Sequence, residues 1–113
     1  MEKFISYLDS KMREGKAKTA ELQTKGSGDD ADFMKVQTNI YEICKTVSLA
    51  LANRPGAGAG AVKAQLERFR TEWSGALEKA RQYNNTRSVA VEEIKLSALE
   101  DIMARFEEEV SEG

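Results

Sequence analysis

The sequence predicts an all-α protein, an antiparallel three- to four-helix bundle with dimerisation as one way to complete it. Three observations carry that reading. Apolar residues recur at alternating steps of three and four, a spacing that averages about 3.5 and lines one side of a packed helix. No stretch alternates with the period of two that a strand requires. Glycine, proline and asparagine gather at three places and divide the 113 residues into four segments of helical length.

The segments run over residues 2–25, 30–53, 61–84 and 87–111, with ends good to about two to four residues. Together they form one helical domain over residues 1–113, with glycine-rich linkers at 26–29 and 54–60. The first segment opens with Met1, Phe4, Ile5, Leu8 and Met12, but its stripe continues only through Gly15, Thr19 and Leu22. A glycine inside a helix costs about 1 kcal/mol relative to alanine, so the second half of this helix should fray, bend or dock elsewhere. The Gly26-Ser27-Gly28 break is followed by Asp29 and Asp30, carboxylates suited to cap the second helix. That helix carries Phe33, Val36, Ile40, Ile43, Val47 and Ala50, widened by Tyr41, Cys44 and Leu51.

The stretch from Asn53 to Gly60 holds the only proline and three of the eight glycines, and must be a loop. The third segment continues the pattern with Val62, Leu66, Phe69, Trp73, Ala76, Ala80 and Tyr83. At Asn84-Asn85-Thr86-Arg87-Ser88, asparagine can end one helix and Ser or Thr can cap the next. The last segment carries Val89, Leu96, Leu99, Met103, Phe106 and Val110. Apolar stripes this broad favour a globular bundle over a two-stranded coil.

Composition narrows the function classes. A domain of this size removes roughly two-thirds of its unfolded surface from water, enough for a core without staples. No apolar run approaches the length of about 18 residues that spans a bilayer, and the first residues lack a signal-peptide apolar stretch. The single cysteine, Cys44, fits a reducing compartment, so the protein is expected in the cytoplasm and away from membranes. Histidine is absent, which removes Ser-His-Asp and Cys-His nucleophile systems and imidazole-bearing metal sites. Neither a cofactor nor an enzymatic role is expected.

Charge is unevenly spread. Residues 88–113 carry a net −6, whereas residues 55–87 carry +3, which suits an antiparallel pairing of the last two helices. In that pairing Glu107, Glu108 and Glu109 lie beside Lys63, Arg68 and Arg70. Those three basic residues are also the candidate contacts for an anion at the start of the third helix. Asp101 and Arg105 have the spacing of a surface ion pair. Gly56-Ala57-Gly58 with Ala61 satisfies a relaxed dinucleotide fingerprint. That fingerprint works between a strand and a helix, whereas here a helix enters it. Nucleic acid is disfavoured, because the basic residues are interleaved with glutamate and the chain is acidic, with pI ≈ 5.3.

Trp73-Ser74-Gly75 is similar to the Trp-x-Gly of the small secreted helical-hairpin proteins of the WXG100 type. The resemblance covers three residues and implies a helix break at the tripeptide and export as a helical dimer. The family's C-terminal Tyr-x-x-x-Asp/Glu signal has no counterpart, since Tyr83 is followed four residues on by Arg87 and Tyr41 by Lys45. The leading expectation is a protein–protein interaction or assembly module, most simply a homodimer burying Phe4, Ile5, Leu8 and Met12 against a second copy. A WXG100-like exported hairpin and a weak nucleic-acid or anion binder are the alternatives.

Overall fold

The computed structural model describes residues 1–56 and 58–110. Four α-helices account for almost all of them: α1 (Glu2–Thr24), α2 (Gly28–Ala52), α3 (Ala59–Gln82) and α4 (Thr86–Glu109). Among the described residues there is no strand, and no helix is long and apolar enough to cross a membrane. Each boundary falls within two residues of the one read from the sequence.

Turn chemistry explains that agreement. At the end of α1, Gly26 takes φ 77° and the Ser27 N–H reaches back to the Leu22 carbonyl at 2.9 Å. This left-handed close satisfies carbonyls that the last turn leaves open, and glycine adopts it without a Cβ penalty. Asn84 does the same after α3 with φ 52°, and the Asn85 N–H donates to the Ala80 carbonyl at 3.1 Å. Asn85 then caps α4, its side chain accepting from the Ser88 N–H at 3.1 Å. The start of α2 differs from expectation. Ser27 is the cap residue there without a side-chain bond, and Asp29 and Asp30 sit in the first turn, where the helix dipole favours them.

The helices alternate in direction. Asp9 pairs with Lys45 at 2.7 Å and Gly15 faces Thr38, so α1 and α2 run antiparallel along their length. Lys63 pairs with Glu107 at 3.3 Å and Arg81 with Glu93 at 3.3 Å, which sets α3 antiparallel to α4 as the charge distribution suggests. Helices α2 and α4 are parallel and central, joined at their starts by Arg87 and Asp32 at 3.6 Å. Helix α1 flanks this pair on one side and α3 on the other, with no close backbone approach between the two among the described residues. The result is flattened, 45 × 35 × 21 Å, about two helix diameters thick.

The core lies at one end. Phe4 and Leu8 from the start of α1, Ile40, Tyr41 and Cys44 from the middle of α2, Val62 and Leu66 from early α3, and Leu99, Ile102 and Phe106 from the second half of α4 belong to one cluster. Phe4 meets Phe106 edge to face, centroids 5.2 Å apart, uniting the first and last helices. Such ring pairs add about 0.5–1.5 kcal/mol to their area burial. Toward the other end the buried residues are the smaller Thr19, Ala31 and Ala80, and a cavity of about 410 Å³ opens among α1, α2 and α4.

The second half of α1 is not a loose element. Gly15 and Thr19 are buried against α2, whose facing residues include Ala31 and Thr38. A Cβ on Gly15 would collide with the Thr38 hydroxyl, so the absence of a side chain is what permits this separation. The expectation of a fraying helix is thereby corrected: small residues replace bulk with proximity, and dispersion contacts are gained across a shorter gap. Thr19 and Thr38 keep their hydroxyls satisfied by donating to the Gly15 and Met34 carbonyls, each at 2.8 Å.

Candidate functional site

The structure redistributes the residues singled out by sequence. Phe4 and Leu8 are both 0% exposed, filling the chain's own core. Ile5 and Met12 are half-buried and packed against that same cluster. The face expected to meet a second copy is therefore consumed within one chain, because its residues already complete the closed end of the bundle. The anion candidates are not gathered either. Lys63 is neutralised by Glu107, and Arg70 lies one heptad further along the same side of α3. Arg68 is five residues from Lys63, which places it roughly 140° away around the axis.

Trp73-Ser74-Gly75 lies inside α3, which is continuous from Ala59 to Gln82. The break that the WXG100 resemblance implies is absent; the turns fall at the linkers and at Asn84. Trp73 instead stacks on Phe69 at 4.9 Å with planes 3° apart, and the Lys95 ammonium lies 4.9 Å from its ring centroid. Lys95 also holds Glu92 at 3.2 Å, with side chains only 22% and 16% exposed. Asp101 is not the partner of Arg105, which pairs forward with Glu109 at 3.1 Å and stacks on Tyr7 at 4.8 Å.

The groups nearest to chemical reactivity are held away from it. Burial pushes the Cys44 thiol up to about 12, so it stays protonated at neutral pH. Burial also raises both Tyr7 and Tyr41, the latter further through the neighbouring Tyr7 and Asp101. Their rings meet edge to face at 6.1 Å, and the Tyr41 hydroxyl, though close to Tyr7, makes no hydrogen bond of good geometry.

A trough runs along the α4-side flank of α1, walled first by α4, then by α2, and by both where it ends. Three adjoining cavities of about 520, 300 and 410 Å³ succeed one another along it. Lys11 and Glu14 border the first two, and Lys18, Met34 and Gln37 border the second and third. At the open end the floor is apolar, with Leu22, Phe33, Met34 and Ile94 all half-buried. From Ser6 to Leu22 the trough spans roughly 24 Å at the helical rise of 1.5 Å per residue. A further groove of about 560 Å³ lies on the other side of the α1–α2 seam, lined by residues that include Thr19, Ala20, Val36 and Asn39, and does not reach α4.

Apolar periodicity does not reveal the trough, because its rim is charged and its floor combines residues from three helices. Comparison with protein-family models, with curated proteins and with solved structures returns no match.

Proposed function

We propose that this protein is a non-enzymatic assembly module that receives a helix in the α1–α4 trough. The observation that carries this reading is the half-buried apolar floor of Leu22, Phe33, Met34 and Ile94 where the cavity opens among α1, α2 and α4. A straight trough about 24 Å long, open along its top, suits a helix of roughly 16 residues. It suits a small molecule less well, since such ligands are enclosed over most of their surface. A guest helix would add the fourth side to a layer of α1, α2 and α4, packing onto side chains that the monomer leaves half covered. The charged rim would set its position and direction.

Site-specific photo-cross-linking in the native host tests this. A photoreactive aromatic residue at Gln37, inside the trough, should form adducts whose cross-linked peptide is a helical segment. The same residue at Asn39, on the other side of the α1–α2 seam, should form none. Equal yield at the two positions, or no adduct at Gln37, would overturn the reading.

A further inference from the structure

We infer that the occupant of the trough rim is α1 of a second copy, packed antiparallel about a two-fold axis near residue 16. This rests on the trough reading and specifies its partner. The basis is a second periodic stripe on α1, made of Tyr7, Lys11, Glu14, Lys18, Glu21 and Lys25. Its steps are four, three, four, three and four, the same spacing that defines a packing seam. The stripe lies about the trough-side flank of the helix, with Lys11, Glu14 and Lys18 on the trough wall itself.

The stripe is self-complementary. Reversing one copy about residue 16 sets Lys11 opposite Glu21, Glu14 opposite Lys18, and Tyr7 opposite Lys25. Each charge then meets its opposite, and an ammonium meets an aromatic ring. A two-fold interface requires this reciprocity, since residue i on one copy must suit residue j on the other and the reverse. Within one chain the lysines and glutamates are loosely paired along their own helix, Lys11 with Glu14 at 3.9 Å and Lys18 with Glu21 at 3.7 Å, while Lys11 also lies 5.7 Å from the Tyr41 ring and Tyr7 already carries Arg105 on one side. The closer pair is Lys25 with Glu21 at 2.8 Å. Their side chains keep 38–70% of their surface exposed, so partners can be shared without dismantling the helix. Ala17 and Ser10 border the stripe and allow a second helix close approach.

Exposed ion pairs contribute little affinity, so the stripe supplies register and partner choice. Covering Leu22 and the adjoining floor supplies the association itself. The stripe also excludes the parallel arrangement, in which like charges would stand side by side.

Charge exchange provides the test. One variant, Lys11→Glu with Lys18→Glu, makes the stripe wholly acidic between residues 11 and 21. The other, Glu14→Lys with Glu21→Lys, makes it wholly basic. Sedimentation across the micromolar range should show the wild type self-associating and each variant alone weakened by about tenfold or more. An equimolar mixture should recover a heterodimer of wild-type affinity, with circular dichroism confirming that each variant is folded. Carbodiimide coupling of the wild type, with one copy isotopically labelled, should join Lys11 to Glu21 and Lys18 to Glu14 between copies and needs no variant.

A wild type that stays monomeric, variants that associate as well as it does, or intermolecular links elsewhere would each overturn the inference. None of these results touches the comparison of Gln37 with Asn39 adducts, so the broader trough reading stands or falls separately.

Discussion

Replacing Gly15 by alanine distinguishes a packed α1 from a merely helical one. On an exposed helix the substitution stabilises by about 1 kcal/mol, through reduced backbone freedom in the unfolded chain. Here the new Cβ falls on the Thr38 hydroxyl and lies only 3.0–3.1 Å from the Thr38 Cβ and Cγ2. Thr38 is 6% exposed and bonds the Met34 carbonyl, so it cannot swing aside without giving up that bond, worth about 1 kcal/mol. Overpacking of a close contact costs about 1–3 kcal/mol. The sum is a net loss of about 1–3 kcal/mol, or a fall of about 0.5–1.5 M in the urea midpoint at a slope of ~2 kcal/mol/M. Thr38→Ala removes two of the three crowding atoms, so in the Gly15→Ala background it should restore about half of the loss. A double-mutant cycle would then give a coupling of about 1 kcal/mol. If Gly15→Ala raises the midpoint, the close-approach argument fails.

Two further outcomes follow from groups described above. Cys44 should react with an aromatic disulfide reagent only as fast as the chain opens, since its side chain is 0% exposed and its thiol is held protonated. Rapid modification of the native protein at neutral pH would contradict its burial. Lys95→Met should destabilise by about 1–3 kcal/mol, because it strips the partner from the Glu92 carboxylate and the cation from Trp73. Adding Glu92→Gln should recover part of that loss in urea titrations. A double variant as unstable as the sum of the single ones would show the two residues to be independent.

Helix number, ends and pairing order were legible in the sequence because they depend on local chemistry. Gly26, Asn84 and Asn85 act within a few residues of themselves, and the Lys63–Glu107 pairing follows from the antiparallel order of α3 and α4. What eluded the apolar pattern was the α1–α2 contact. The stripe of Phe33, Val36, Ile40, Ile43 and Val47 marks one flank of α2, whereas the contact with Gly15 of α1 is made by Thr38, a buried hydroxyl-bearing residue. Small and hydroxyl-bearing residues carry no hydropathy signal, yet they set how closely two helices approach. The same blindness made Gly15 look like a defect. Conversely Tyr83, in phase with the α3 stripe, is 74% exposed because α3 ends at Gln82 and α4 has already turned away. The charged stripe on α1 leaves no trace in apolar periodicity, because five of its six residues are lysine or glutamate.

The position of the core at one end bears on how the chain acquires its shape. Helices α1 and α2, and likewise α3 and α4, are neighbours in sequence and can associate as local hairpins within microseconds. The Phe4–Phe106 ring pair is different, because it closes a loop of roughly 100 residues and becomes available only once α4 has been made. During synthesis Phe4 and Leu8 therefore precede their α4 neighbours by roughly 100 residues, and the side of them that α4 covers stays open until that helix is made. Closure of the core is in that respect a late event, completed by α4.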